Sequence, residues 1–181
     1  MSMTDGLLLP AGAGRGIQNM TLKVGAEQST VWSMFEAQVA PGFDVGAHRH
    51  EQAEEMFYVL EGELDLLAFQ PTAAARANGD WRTWESETGA TVFRGGPGSF
   101  MFVPTGCPHA FFNPTREPAR MLFVVSPAGH ETYLQELTEL LAAGGPPNPA
   151  DIVALRRRHD IEQLTPLTVH SSAEPSVNIH G

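Results

Sequence analysis

The sequence predicts an all-β fold with a short helical extension at its C-terminal end, and three observations carry that prediction. Short runs rich in branched and aromatic residues, bounded by Gly, Pro, Asn or Asp, recur from about Met20 to Val125. Beyond His130 the apolar period lengthens to that of a helix. Within the strand region, His48 and His50 stand two apart, a spacing that puts both side chains on one face of a strand.

Taken in order, Met1 to Asn19 holds several glycines and few strand or helix signals, and reads as a loosely held arm. Its run Gly12-Ala13-Gly14-Arg15-Gly16 lacks the preceding strand, the following helix and the third-glycine spacing of a dinucleotide loop. Residues 20–25 and 30–39 alternate as strands, Met20 to Gly25 being a candidate edge strand, and Pro41-Gly42 turns the chain. Glu55 to Leu60 is a strand that ends at Glu61-Gly62, with Glu55, Phe57 and Val59 sharing the inward face. Leu64 to Phe69 and Trp81 to Glu87 read as the arms of a hairpin around an alanine-rich loop at residues 71–80. Ser99 to Val103 is a strand closed by Pro104-Thr105-Gly106, and His109 to Phe112 is the next, with His109 and Phe111 on one face. The continuous apolar run Met121 to Val125 reads as a buried strand.

From His130 to Ala143, Tyr133, Leu134, Leu137, Leu140 and Leu141 recur at helical spacing until Gly144-Gly145 stops them. A second helix follows Asn148, which can cap it, with Pro149 at the first helical position and Asp151 in the first turn. Both helices are expected on the outer wall of the β domain or against a second subunit. Past Thr165 the chain is polar and contains proline, so His170 and His180 read as tail residues. The resulting division is an arm at 1–19, a β domain at 20–127, a helical extension at 128–164 and a tail at 165–181.

At 181 residues the chain suits one domain. A net charge of −10 argues against a nucleic-acid partner, whose phosphates call for a basic face. The one basic run, Arg156-Arg157-Arg158, reads as a solvated helix end. Cys107 is the sole cysteine, which excludes an intrachain disulfide and fits a reducing compartment. No apolar run approaches the roughly 18 residues of a membrane helix, and Leu7-Leu8-Leu9 is too short for a secretion signal. A cytoplasmic protein with no membrane partner is the expectation.

Two stretches concentrate the chemistry. The first reads Gly42-x5-His48-x-His50-x4-Glu55-x6-Gly62, and the second Gly98-x5-Pro104-x-Gly106-x2-His109-x3-Asn113. Together they supply three imidazoles and a carboxylate, a donor set that suits a divalent transition metal. In this order and spacing they resemble the two signature motifs of the cupin superfamily, with every motif position filled. The resemblance implies a double-stranded β-helix, or jelly-roll barrel, that holds one metal ion per chain through His48, His50, Glu55 and His109. Glu55 rather than Glu54 stands at the motif distance from Gly62 and shares the parity of Phe57. Cys107, two positions before His109, reads as a buried inert thiol in the turn. Phe57, Val59 and Phe111 either line a substrate pocket or fill the barrel core. His130 and His159 read as helix-start and helix-end residues outside the site.

Three neutral ligands and one anion leave a divalent ion with one net positive charge, which favours an enolate or phenolate over its acid. The leading expectation is therefore a dioxygenase acting on an enolic or phenolic small molecule with dioxygen, Glu55 serving as both ligand and catalytic base. The ligand set and helical extension also resemble the single-barrel quercetin dioxygenase-like branch of the cupins. Two alternatives use the same residues: a Lewis-acid isomerase or cyclase of a natural-product or sugar intermediate, and a small-molecule-binding protein without turnover. Fe, Mn, Ni, Co, Cu and Zn all suit the donor set. The 71–80 hairpin is placed where substrate choice could be set, and the resemblance implies a homodimer.

Overall fold

A computed structural model describes residues 5–143 and 148–167. The expected helix stop at Gly144-Gly145 and the tail histidines His170 and His180 lie outside the described residues. Among the described residues, eleven strands form two antiparallel sheets. The first holds β1 (Arg15–Ile17), β2 (Met20–Val24), β3 (Ser33–Val39), β10 (Ala119–Ser126), β5 (Glu54–Glu61) and β8 (Phe100–Val103), in that spatial order. The second runs β11 (Glu162–Gln163), β4 (His48–Arg49), β9 (His109–Phe112), β6 (Leu64–Ala68) and β7 (Phe93–Gly95). Facing each other, they make the jelly-roll barrel.

Inward residues of the first sheet line up in registered rows. One row runs Leu22, Phe35, Phe123, Phe57 and Met101 across five strands. Its phenyl rings stack, Phe35 on Phe123 at 5.4 Å and Phe123 on Phe57 at 5.0 Å. The neighbouring row runs Ser33, Val125, Glu55 and Val103, so a carboxylate sits one row from an aromatic wall. The motif turns explain their own residues. Gly62 has φ +75°, and a Cβ there would stand 2.9 Å from Ala119. Asn113 donates from Nδ2 to the carbonyls of Val39 and Glu117 and accepts from Thr115, so it ties three segments together.

Several expectations are corrected. The N-terminal segment is not wholly a loose arm, because Arg15–Ile17 pairs with Met20–Val24 through a tight turn in which Gln18 has φ +53°. Met20 to Gly25 is consequently an inner strand, and the edges of that sheet are β1 and β8. Residues 64–68 pair not with 81–87 but with Phe93–Gly95. The intervening excursion folds as α1 (Ala73–Ala77), capped by Thr72, and a 3-10 turn at Trp81–Thr83. The reason is Trp81 and Trp84, which bury with Ala47, Leu67 and Ala110 in a second core. These three partners alternate with the inward-facing His48, Leu66 and Phe111, so the second core lies on the outer face of the sheet. Each indole withdraws roughly 200 Å² from water, worth about 5 kcal/mol before entropy is counted. The excursion therefore covers the back of the second sheet and does not line the inner-face site.

The helices α2 (His130–Ala142) and α3 (Pro149–Arg158) have the expected starts, and Asn148 caps Ala150. They do not rest on the outer wall. Tyr133, Leu134 and Leu155 join the main barrel core, which makes the pair a cover over one end of the barrel. Arg156 is buried rather than solvated: Nε donates to the Tyr133 hydroxyl, and the terminal nitrogens donate to the Val45 carbonyl and to Gln163. Only Arg157 and Arg158 face water. The run 121–125 is not continuously buried either, since Leu122 and Val124 face outward.

Candidate metal centre

His48 lies on β4 directly opposite His109 on β9, because the two strands pair at that position. His50 follows β4 by one residue beyond its end and keeps the same parity. Glu55 reaches the same point from β5 in the other sheet, while Glu54 is exposed. The four side chains are buried, and one donor atom from each falls within 4.8 Å of the others. Ligands predicted from the sequence thus meet inside the barrel, coming from both sheets.

The three imidazoles are oriented by the same device. Nδ1 of His48 lies 2.8 Å from the Gly46 carbonyl, that of His109 3.0 Å from the Cys107 carbonyl, and that of His50 2.8 Å from the Asp160 carbonyl. A carbonyl only accepts, so each Nδ1 carries the proton and each Nε2 presents a lone pair. Nε2 of His50 and of His109 approach the Glu55 oxygens at 3.1 and 2.8 Å, yet His50 Nε2, His109 Nε2 and Glu55 Oε2 have no aligned hydrogen-bond partner. Buried lone pairs aimed at one another are costly unless something between them accepts the charge. That arrangement fits a divalent transition metal held by His48, His50, Glu55 and His109.

Electrostatics prepare the donors. Burial, then the neighbouring His109 and Arg156, hold His48 well below the usual imidazole value, so it is neutral and able to ligate. Burial opposes the Glu55 charge, but His109 and His50 outweigh it and hold the carboxyl well below the usual carboxylate range. His50 is pushed down by burial and up more strongly by its contact with Glu55, with a net rise.

The other candidate residues fall into place around this cluster. Phe57 is 6.4 Å from the His109 ring and 5.8 Å from Phe111, and both are buried, packed beside the donor cluster. Val59 is fully buried deeper in the barrel opposite Met121, as core. The Cys107 thiol donates to the Pro108 carbonyl and burial pushes its pKa up; its sulfur is not part of the cluster. His159 ends α3 and meets Glu136 at 3.2 Å. His130 does start α2, but its ring packs on Phe35 and Phe123 at the inner face of the first sheet. Sequence reasoning also misses Asp160, whose carbonyl orients His50. No pattern in the chain marks a backbone acceptor 110 residues away.

A family model described as Cupin matches residues 14–143. Among solved structures, a protein of Thermus thermophilus is 23% identical with a TM-score of 0.44, the match covering 64% of this chain and 90% of that one. A predicted oxalate decarboxylase of Thermotoga maritima is 21% identical with a TM-score of 0.45, covering 60% and 78%. The polyketide cyclase RemF of Streptomyces resistomycificus is 24% identical with a TM-score of 0.43, covering 62% and 68%. A search of curated proteins finds no match. The family match takes in both motifs and all four clustered donors, and the chain belongs to the cupin family.

Proposed function

We propose that this cupin is a mononuclear metal-dependent dioxygenase that acts on an enolic or phenolic small molecule, in the manner of the quercetin dioxygenase-like proteins it resembles. The observation that carries the reading is the donor set beside an aromatic wall: three imidazoles with Nδ1 committed elsewhere and one carboxylate, next to the stacked rings of Phe57, Phe123 and Phe35. A divalent ion in that set keeps one positive charge and would favour the anion of an enol or phenol. Glu55 would receive the hydroxyl proton of the substrate, and burial among His48, His50 and His109 keeps bulk water from competing for it.

The test is elemental analysis of protein purified without a histidine tag, paired with oxygen-electrode traces against flavonols, diketones and catechols. About one redox-active metal per chain with substrate-dependent oxygen uptake supports the dioxygenase. Conversion of a compound without oxygen uptake overturns it in favour of Lewis-acid isomerisation or cyclisation. Absence of metal after reloading overturns the site.

A further inference from the structure

A cleft of about 400 Å³ lies between the N-terminal arm, the hairpin of β1 and β2, the turn at residues 25–28 and the start of α2. That volume is inside the roughly 300–1,000 Å³ range of small-ligand sites. None of its lining residues belongs to the metal cluster. Leu7, Leu9 and Leu22 make its apolar side. The arm alternates there: Leu7 and Leu9 line the cleft at 44% and 40% exposure, and Leu8 between them stands in solvent at 94%. Two contacts pin the arm. Lys23 Nζ donates to the Ala13 carbonyl at 2.7 Å, and Gly14 packs so closely that a Cβ there would stand 2.5 Å from the Leu22 carbonyl oxygen. Two leucines are thus held beside a space that they do not fill.

The opposite side carries a buried acid, Glu131, which is 6% exposed and lines the cleft. Its Oε1 accepts from the Ala26 backbone N–H at 2.6 Å and its Oε2 from the Ser33 hydroxyl at 2.7 Å. Burial opposes its charge, but these hydrogen bonds and then the Arg15 guanidinium outweigh burial and hold the carboxyl below its usual value. Gly25 makes the approach possible, since a Cβ there would stand 2.6 Å from Glu131 Oε1. Glu27 and Glu131 bring two negative charges to the lining, and Arg15 and Lys23 bring two positive ones. A simple cation or anion would meet like charge in such a lining. A molecule with one charge of each sign and an aliphatic body meets opposite charge and leucine instead.

We propose that this cleft is a second small-molecule site, for an amphipathic zwitterion such as an apolar amino acid or dipeptide. The ligand's ammonium meets Glu131, its carboxylate meets the exposed Arg15 at the rim, and its aliphatic side chains lie against Leu7, Leu9 and Leu22. Lys23 is already drawn to the Ala13 carbonyl and to Glu36 at 3.3 Å, which leaves the carboxylate to Arg15. The site stands independently of the reaction at the metal.

The experiment titrates zinc-loaded, nitrogen-15-labelled protein with leucyl-leucine, its N-acetyl form, which lacks the ammonium, and its C-terminal amide, which lacks the carboxylate. Leucyl-leucine should shift the amide resonances of Gly14, Gly25 and Gln28 saturably, and acetylation should weaken binding about tenfold. Arg15→Gln should weaken leucyl-leucine by up to about fivefold, as expected of a rim ion pair, and leave the amide form unchanged. Glu131→Gln should lose about tenfold on leucyl-leucine and little on the acetylated form. Because Glu131 also ties the turn to α2, Leu9→Ser on the exposed arm is the second variant, and it should weaken all three probes alike. No saturable shift at those three amides would overturn the inference, as would shifts confined to the neighbours of His48, His50 and His109, which would report chelation of the zinc. Equal affinity for the three probes would overturn it too, since the charges would then recognise nothing. None of these outcomes bears on the dioxygenase reading, which rests on the metal cluster.

Discussion

Asp160 is the place to ask whether the metal cluster is held from outside the two motifs. It follows α3 with φ +59°, its carbonyl accepts from His50 Nδ1 at 2.8 Å, and its carboxylate accepts from the backbone N–H groups of Glu51 and Gln52 at 3.0 and 2.8 Å. The side chain thus clamps the segment just after His50 to the residue that orients it. Asp160→Ala deletes both carboxylate contacts and leaves a side chain in left-handed backbone, a strain of about 1–2 kcal/mol. The two N–H groups belong to exposed residues, where water replaces the lost bonds, so each contact is worth about 1 kcal/mol or less. Asp160→Gly loses the same contacts without the strain, and the difference between the two variants isolates it. Loss of an outer anchor costs about 10–100-fold in metal affinity, and because the carbonyl survives in both variants the lower end is expected, about tenfold. Competition with a colorimetric zinc chelator measures this, alongside melts of the metal-free proteins. Unchanged zinc affinity in Asp160→Ala with a lowered metal-free melt would refute the reasoning, for the clamp would then stabilise the C-terminal segment without positioning His50.

Three further outcomes are expected. His50→Ala and Glu55→Gln should each lose bound metal in elemental analysis with an unchanged far-UV spectrum, whereas Cys107→Ser should keep it; metal loss in Cys107→Ser would overturn the ligand assignment. His130 has a folded pKa of about 4 against an unfolded value near 6.5, a depressed histidine, so its contribution is intact above pH ~6.5 and is lost as pH falls toward 4. The full effect is on the order of 3 kcal/mol, and urea unfolding should show wild type weakening more between pH 7 and 5 than His130→Phe. The expected homodimer is best served by the outer face of β5 and edge strand β8, where Met56, Tyr58, Phe100 and Phe102 are 38%, 43%, 59% and 47% exposed in registered pairs. Their exposed parts amount to roughly 400 Å², about half of what each partner contributes to a standard interface. Light scattering should give a dimer mass that Phe100→Ser lowers, and a monomer in the parent would end that assignment.

Much of the site is legible in the sequence because it is decided locally. Strand parity alone sorts Glu55 from Glu54 and puts His48 with His50 and His109 with Phe111. Even the anchors of His48 and His109 are local, each a carbonyl two residues earlier in the chain. What escapes depends on which element covers which face. The same apolar alternation that marks β6 cannot say that Leu67 will be roofed by Trp81 and Trp84, so the excursion reads as a hairpin. Nor can a run of three arginines say that the first turns inward, since that follows from Tyr133 and Val45 arriving from other segments.

These hidden features converge on one region. Asp160 orients His50, Arg156 binds the strand-entry carbonyl at Val45 and acts on His48, and His130 closes the aromatic wall. All three come from residues 130–160, which the motifs alone leave outside the barrel. Asp160 contacts a cluster residue directly, while Arg156 and His130 act through Val45 and the aromatic row beside it. The helical extension is therefore part of the site's own architecture: two strand motifs supply the four donors, and the extension supplies an imidazole anchor, a nearby positive charge and the cover that keeps the donors dry. Differences in such a cover would alter the ligand that fits while leaving the motif residues untouched, which is why the motifs identify the family sooner than they identify the reaction.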